Sequence, residues 1–434
     1  MTNHTHNRPA IVVPDKISIC QPQSTVLPNG VPLHILNCSD QDVARVSFVF
    51  HAGTSFQTTP FSASSAANLL AEGTSKFTAQ QIAEQLDFYG SFYEVSLDRD
   101  YAVITFVSLL KFFPQTLETA REILLSPAFD KKEIEIYCNK RKQRLAVERS
   151  KAAFHAREIF SQAIFGNDHP YGVSYPESLY DELTRRQLFE FYNKHYTAEN
   201  CFVVCSGKLD ASAQAMIAAL AGNIPRGNAD SAAGFPKAHS VRSRYKKYDG
   251  AVQSAVRIGK LLFPRTHPDF VPMQVVTTIL GGYFGSRLVH NLREEHGYTY
   301  GVYAAMANLE HEGYMAVATE VATEATEDAV RQIFVEMDRM RTDLVDEHEL
   351  EMVKNIMTGE VMRVLDGPFG IADVTIENIQ NGSDNDYLDR FLETVKSTTP
   401  EQVREMAGRY LDPETFTTVI VGEDTSGGSF GLDR

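Results

Sequence analysis

The pattern of apolar and polar positions predicts strands that recur in the same order in two halves of the chain. Residues 43–50 and 101–107 alternate apolar and polar side chains in the manner of half-buried strands. Residues 251–258 and 314–321 show the same alternation, displaced along the chain by a nearly constant offset. Two copies of one unit explain this regularity more simply than two unrelated domains do.

Helical periodicity follows the second strand of each half. Residues 112–125 and 326–341 have the apolar spacing of amphipathic helices, and further helices are predicted to begin within 129–135 and 345–351. One helix is predicted over 141–164, with an apolar contribution from Leu145, Phe154, Ile159 and Phe160. We therefore predict an α+β fold of two tandem homologous domains related by a pseudo-two-fold axis. Each domain is expected to be a mostly antiparallel or mixed sheet with helices packed on one face.

The two predicted domains meet at a polar stretch rich in chain-breaking residues. Residues 223–243 contain two prolines and two glycines among polar side chains, a composition typical of a linker. The expected domains are residues 1–222 and 244–434. The segment after Gly422 is expected to be a frayed end.

Composition and charge exclude several classes of protein. The chain has 434 residues, of which 43% are apolar and 22% charged, so it is neither disordered nor collagen-like. Its 41 Lys and Arg against 56 Asp and Glu give a net charge of −15, which disfavours nucleic-acid binding. Five scattered cysteines without a C-x-x-C pair favour reduced thiols. The lack of a signal peptide and of a long apolar run completes the prediction of a cytoplasmic protein without membrane contact.

No catalytic motif is complete when the sequence is taken on its own. His155 and Glu158 match the start of H-x-x-E-H, but Ile159 stands where the second histidine belongs. The G-x-S-x-G string at 427–431 lies at the chain end, without the strand and helix of a nucleophile elbow. No P-loop or G-x-G-x-x-G string occurs. These motifs therefore predict neither a metal site nor a nucleotide site.

Two longer segments resemble a known family of metallopeptidases. The first comprises residues 51–56, a strand end with a Gly-Thr turn, and residues 64–75, which end in a second Gly-Thr pair. The second, residues 280–303, contains Ser-Arg-Leu and then Leu-Arg-Glu-x-x-Gly-x-x-Tyr. Both are similar to segments of insulinase-type (pitrilysin-type, inverzincin) zinc peptidases. The resemblance covers nearly the whole chain and implies the two-domain fold predicted above.

The resemblance also indicates where the family's zinc ligands belong. Counting back from Gly73, the H-x-x-E-H slots fall on Ser64, Ala67 and Asn68, and the slot of the third ligand falls near Arg144. Ser64, Ala67 and Asn68 offer neither an imidazole ligand nor a carboxylate base, and Arg144 places a cation where a ligand is needed. The chain is therefore expected to hold no metal. Zinc is expected in a homologous partner subunit that carries H-x-x-E-H.

The second segment keeps the family's arginine and tyrosine, at Arg293 and Tyr300. The resemblance implies that they reach across a closed cleft towards substrate at the zinc of another domain. A guanidinium can hold a substrate carbonyl or carboxylate, and a tyrosine hydroxyl can donate to a developing oxyanion. The alternatives are an ion pair of Arg293 with Glu294 or Glu295 on the helix surface, and a core position for Tyr300.

Phe92, Tyr93 and Glu94 lie where family members present an edge strand to the substrate backbone. Main-chain hydrogen bonds to an added strand would bind peptides with little sequence preference. The alternative is an ordinary strand that packs its aromatic residues into the core.

These observations predict a non-zinc subunit of a two-subunit insulinase-like metallopeptidase. It would supply Arg293, Tyr300 and half of a chamber in which the zinc-bearing partner hydrolyses peptides. The alternatives are a non-catalytic scaffold or core-like subunit, and a homodimer that binds peptides without cleaving them. No peptidase activity is expected of the chain alone.

Overall fold

The structure, a computed structural model, describes residues 19–227, 235–238, 240–241 and 243–423. Its first sheet belongs to the N-terminal half. The strands are β1 (Gln23–Val26), β2 (Pro32–Leu36), β3 (Val43–Phe50), β4 (Phe92–Leu97), β5 (Ala102–Leu109) and β6 (Cys201–Gly207). They lie side by side in the order β1-β2-β6-β3-β5-β4. Only β2 and β6 run parallel, so the sheet is mixed.

The second sheet belongs to the C-terminal half and repeats this plan. Its strands are β7 (Ser243–Lys247), β8 (Gln253–Leu262), β9 (Thr299–Asn308), β10 (Gly313–Ala322) and β11 (Thr417–Gly422). Their spatial order, β7-β11-β8-β10-β9, matches β2-β6-β3-β5-β4 strand for strand. The parallel pair recurs as β7 and β11. The predicted duplication and the predicted α+β class are confirmed.

Burial along the strands follows their place in each sheet. Every residue of β6 and of β11 is buried, because these strands are covered on both faces. The strand β4 alternates exposed and half-buried residues, as expected at a sheet edge. The edge strands β4 and β9 each leave one side without a neighbouring strand in the described sheets.

Helices connect the strands in corresponding places. In the N-terminal half they are α1 (Ser62–Leu69), α2 (Ala79–Phe88), α3 (Phe113–Leu125), α4 (Lys131–Arg149), α5 (Ala152–Phe165), α6 (Arg185–His195) and α7 (Ala211–Gly222). In the C-terminal half they are α8 (Phe270–Thr277), α9 (Thr326–Thr342), α10 (Glu347–Val364), α11 (Pro368–Gln380), α12 (Tyr387–Ser397) and α13 (Pro400–Tyr410). Two π-helical segments, Thr278–Gly282 and Val289–Glu295, follow α8.

The two halves exchange one helix each. Phe160 and Ala163 of α5 share a buried cluster with Val419 and Val421 of β11, so this N-terminal helix covers the second face of the C-terminal sheet. In return, α11 packs against β6 of the N-terminal sheet.

Polar contacts reinforce the docking of α11. The Nη2 atom of Arg45 on β3 lies 2.5 Å from Oδ1 of Asp373, and its Nη1 donates to the carbonyl oxygen of Phe369 at 3.1 Å. Each sheet is therefore covered by its own helices on one face and by the other half's helix on the opposite face. The cores of the two halves are thereby physically coupled.

The single helix predicted over 141–164 is wrong. The chain forms α4 and α5 instead, with a break at Ser150, whose backbone N–H and side-chain hydroxyl both turn back to the carbonyl oxygen of Val147. The break has a tertiary cause, because α4 stays with its own half while α5 crosses to the other sheet.

Parts of the predicted division into domains lie outside the described residues. This applies to residues 228–234, 239 and 242 of the predicted linker, and to residues 424–434 of the predicted frayed end and its G-x-S-x-G string. The boundary at 223–243 stays a prediction. Among the described residues, no helix is both long and apolar enough to cross a membrane.

Candidate functional site

The positions expected to correspond to a zinc centre lie on α1 and α4 but do not form one. Ser64 is half-buried, Ala67 is fully buried, and Asn68 is exposed and donates from Nδ2 to the carbonyl oxygen of Ser64 at 2.7 Å. Nε of Arg144 lies 3.2 Å from Oε1 of Glu148. Throughout the described ranges, no three His, Cys, Asp or Glu side chains come together as a possible metal site. The side chains at these four positions are a hydroxyl, a methyl, an amide and a guanidinium, and none of these groups is a usual ligand of Zn²⁺.

A cavity of about 400 Å³ lies at this place and is lined by arginines. We call it the arginine cavity; its charged lining residues are Arg99, Arg141, Arg144, Arg157, Glu148 and Glu158. Ser64 lines it as well. The structure thus brings Ser64 and Arg144 to one cavity, while Ala67 and Asn68 are not among its lining residues.

A close backbone approach places Arg99 beside this cavity. The turn after β3 donates three N–H groups to the turn between β4 and β5, including Ser55 N–H to the carbonyl oxygen of Arg99 at 2.8 Å. A Cβ on Gly53 would lie only 2.3 Å from that same oxygen, so the Gly-Thr turn of the sequence motif requires glycine for space. Burial lowers the pKa of Arg99.

Strained backbone forms part of the cavity wall at the start of α1. Phe61 has a φ of 63°, a left-handed conformation that costs a non-glycine residue about 1–2 kcal/mol. Its ring stacks on Tyr180 with centroids 3.8 Å apart and meets the edge of Tyr175. These aromatic contacts offset the strain and hold the ring at the cavity.

A second, larger cavity is built mainly from the corresponding elements of the C-terminal half, with a contribution from Asp98, Asp100 and Tyr101 of the N-terminal half. It has a volume of about 780 Å³ and is bounded by α8, α10 and α11, the counterparts of α1, α4 and α5. We call it the acidic cavity; its charged lining residues are Asp98, Asp100, Glu310, Glu360, Glu377, Arg265 and Arg363. Its charge is opposite in sign to that of the arginine cavity.

Arg293 and Tyr300 lie on neighbouring elements at the surface of the C-terminal half. Arg293 belongs to the second π-helical segment, which packs against β9, and its guanidinium lies 4.5 Å from the ring centroid of the exposed Phe284. Tyr300 on β9 is 93% exposed. Neither residue is part of the lining of the two cavities described above.

The glutamates beside Arg293 are engaged elsewhere. Glu294 and Glu295 lie 2.9 and 3.2 Å from the ring nitrogens of His290, and the hydrogen bond to Glu294 raises the pKa of this histidine. Within the described residues no carboxylate pairs with Arg293. The surface ion pair of Arg293 and the core position of Tyr300, the two structural alternatives, are therefore absent from the described chain.

A β-bulge turns Tyr300 towards solvent. The register between β9 and β10 shifts at Thr319 and Val321, beside Tyr300 and Gly301. The hydroxyl of Thr299 donates to the Glu320 carbonyl at 2.7 Å and accepts from Gly301 N–H at 3.0 Å. Bulges of this kind redirect side chains at sheet edges.

Gly281, in the same family-like segment as Arg293 and Tyr300 (residues 280–303), sets the distance between β9 and the helical layer. A Cβ on Gly281 would lie 2.6 Å from the backbone nitrogen of Ala304. Only glycine therefore allows the first π-helical segment to approach the edge strand this closely.

Phe92, Tyr93 and Glu94 lie on the edge strand β4, but their side chains face different ways. Phe92 is 70% exposed, and Glu94 is exposed as well. Tyr93 faces inward against Phe106 with ring centroids 5.3 Å apart, and burial raises the pKa of its hydroxyl. The strand pairs with β5 only, so its other edge carries unpaired backbone groups.

These features define a class: a duplicated α+β fold of two mixed sheets, without a cluster of possible metal ligands among the described residues. The family model described as "Insulinase (Peptidase family M16)" matches residues 37–176, and the model described as "Peptidase M16 inactive domain" matches residues 182–357. The chain belongs to the insulinase family, peptidase family M16, as the resemblance implied.

Relatives and solved structures agree with this assignment. An uncharacterized zinc protease of Bacillus subtilis, YmxG, is 20% identical, with 81% of this chain and 85% of the relative covered. An uncharacterized zinc protease of Streptomyces coelicolor is 21% identical, with 91% and 88% covered. The crystal structure of a peptidase M16 inactive domain from Pseudomonas fluorescens has a TM-score of 0.85 at 21% identity, with 93% of this chain and 98% of that chain covered. A protease from Helicobacter pylori has a TM-score of 0.82 at 14% identity, with 93% and 100% covered.

Sequence reasoning missed the arginine cavity as a feature. Arg99 lies in a turn, Arg141 on α4 and Arg157 on α5, and no local spacing links them. The one available signal was Arg144, which is predicted to stand near the position of the family's third ligand and so indicated a positive charge there.

Proposed function

We propose that this chain is the non-zinc subunit of an insulinase-type peptidase and acts with a homologous subunit that carries H-x-x-E-H. One observation carries the proposal: Tyr300 is 93% exposed and lies on an element next to that of Arg293, which has no carboxylate partner in the described chain. An exposed tyrosine and an unpaired arginine have little value for folding, so a role towards a bound substrate accounts for them.

The two residues would act on substrate held at the partner's site. The Arg293 guanidinium would hold a substrate carbonyl or carboxylate through forked hydrogen bonds. The Tyr300 hydroxyl would donate to the oxygen on which negative charge develops during hydrolysis. The partner's zinc would supply the activated water. The backbone edge of β4, with Phe92 and Glu94 exposed, would add the substrate as a further strand, and Tyr93 would only support the strand from the core.

Reconstitution with a zinc-bearing homologue tests this proposal. The chain alone should bind no stoichiometric zinc and cleave no peptide, whereas the pair should hydrolyse peptides in a chelator-sensitive reaction. The heterodimer would act in a reducing compartment such as the cytoplasm, which suits the five free cysteines of this chain. Chelator-sensitive hydrolysis by the purified chain alone would contradict the proposal, and a complex without peptidase activity would favour a scaffold.

Two variants test the site within the reconstituted pair. Arg293→Ala and Tyr300→Phe should each lower kcat by roughly 100-fold, because each removes a donor to the transition state. Tyr303→Phe is the matched control, since Tyr303 lies on the same strand and is 53% exposed. Size-exclusion chromatography should show unchanged assembly in all three. Unchanged rates in both site variants would remove Arg293 and Tyr300 from the site.

A further inference from the structure

We infer that the arginine cavity binds the carboxylate group of a small organic acid such as the C terminus of a short peptide. This site is separate from Arg293 and Tyr300, and the inference does not rest on the proposed function. Its first basis is charge: four arginines and two glutamates line the cavity.

The two glutamates do not neutralise the whole cavity. Glu148 pairs with Arg144, with Nε and Oε1 3.2 Å apart. Glu158 accepts a hydrogen bond from Ser174 and lies 3.6 Å from Nη2 of Arg149, a residue outside the lining. Both carboxylates are therefore engaged, and positive charge remains on the cavity wall.

Three arginines keep that charge without an ion pair in the described parts of the chain. Arg99 donates to neutral oxygens, the Tyr171 carbonyl and, at 3.0 Å, the Ser161 hydroxyl. The exposed Arg157 lies over the ring of Phe154, 5.1 Å from its centroid. Arg141 forms no ion pair within the described residues, and Tyr180, which lines the cavity with it, is an uncharged neighbour. A buried or half-buried guanidinium without a counter-charge favours an anionic ligand.

Arg141 also has a hydrogen-bond donor that lacks an acceptor. Its Nε atom is buried and has no hydrogen-bond partner, although Arg141 lines the cavity. Buried polar groups are nearly always satisfied, and an orphaned donor calls for an explanation. An oxygen of a bound carboxylate would supply the missing acceptor.

The shape and the walls of the cavity favour an organic acid over a bare inorganic anion. Its volume of about 400 Å³ lies within the range of small-molecule sites. Phe61, Leu145, Phe154 and Tyr175 give it apolar and aromatic surface next to the guanidinium groups. A carbon chain attached to the carboxylate would use this surface, whereas inorganic phosphate would leave it unfilled.

Calorimetric titration of the full-length chain alone tests the inference. The probes are N-acetyl-trialanine, its C-terminal amide and inorganic phosphate, each at low ionic strength and pH 7. The acid should bind saturably, and the amide should bind about 10-fold more weakly or worse, because it lacks the charge that strengthens the hydrogen bonds. Glutarate as a fourth probe separates small diacids from peptide termini.

Matched variants assign the binding to this cavity. Arg157→Gln and Arg141→Gln should each weaken binding of the acid by about 10-fold. Arg186→Gln is the control, since Arg186 is exposed on α6 and pairs with Glu190. Arg293→Ala should also leave binding unchanged. Because Arg157 is exposed, its variant keeps the test valid should Arg141→Gln fail to fold.

Four outcomes would overturn the inference. These are no saturation by roughly 10 mM of either N-acetyl-trialanine or glutarate, equal affinity for a bound peptide acid and its amide, tighter binding of phosphate than of both acids, and unchanged affinity in the arginine variants. Binding of glutarate in place of the peptide acid would support the carboxylate site and identify its ligands as small diacids.

Discussion

The arginine cavity and the acidic cavity are built mainly from corresponding elements in two copies of one fold, yet they carry opposite charge. The turn between β4 and β5 contributes to both cavities. Arg99 lines the arginine cavity, while its two neighbours Asp98 and Asp100 line the acidic one. The duplicated backbone determines where a cavity forms, and the side chains determine what it can bind. Function therefore has to be argued for each cavity separately.

The exchanged helices α5 and α11, in contrast to the cavities, play the same role in both halves. Each lies on the sheet of the other half and completes its second face. This part of the duplication serves packing, which tolerates little change. The comparison predicts large effects from changes in the exchanged helices and smaller ones from changes around the cavities.

The largest effect is expected from truncation of the exchanged helices. Phe160→Ala on α5 should lower the free energy of unfolding by about 3–5 kcal/mol, and Ile376→Ala on α11 by about 2–5 kcal/mol, since both side chains are buried. Urea denaturation measures both. Val147→Ala, at a position that is 63% exposed, should change stability by less than about 0.5 kcal/mol. Losses below about 1 kcal/mol in both helix variants would contradict the coupling of the two halves.

An intermediate effect is expected at the two glycines that allow close backbone approach. Gly53→Ala and Gly281→Ala should each lower the free energy of unfolding by about 1–3 kcal/mol, because the new Cβ would lie within 2.3 and 2.6 Å of backbone atoms. Gly359→Ala on α10, where a Cβ meets nothing within 4 Å, should be neutral or stabilising by up to about 1 kcal/mol. Thermal unfolding distinguishes these outcomes. Equal stability in all three variants would show that the close approaches are not required.

A smaller effect is expected from pH, through His169 where the two halves meet. Burial lowers the pKa of His169, and the charges of Arg99 and His311 lower it further. As the pH falls, His169 is therefore protonated in the unfolded chain, near pH 6.5, before it is protonated in the folded chain. The free energy of unfolding is thus highest above about pH 6.5 and decreases as the pH drops below that value. His169→Asn should reduce the decline in Tm between pH 7.5 and 5.5, as an amide oxygen can replace Nδ1 as acceptor for the Tyr171 N–H.

The exposed His348 provides the control for this pH dependence. His348 lies on the surface of α10, so His348→Asn should leave the decline in Tm between pH 7.5 and 5.5 unchanged. A decline that is equally steep in wild type and in His169→Asn would show that other groups dominate the acid sensitivity.

Local patterns were enough to predict most of the elements and their duplication. The alternation over 43–50 coincides with β3, and the helical spacing from 326 coincides with the start of α9. The positions of the family's zinc ligands could also be predicted, because the family motif is a short string counted from a Gly-Thr pair, and that assignment stays a prediction. These features depend on neighbours in sequence.

The sequence by itself determined the two-copy α+β plan and the family. Only the tertiary structure decided that α5 and α11 change places, and that the helix predicted over 141–164 breaks at Ser150. It also decided that Arg99, Arg141 and Arg157 share one cavity. The physical reason is the range of the interactions: strand alternation and helix spacing arise between near neighbours, whereas packing and cavity charge join residues from distant elements.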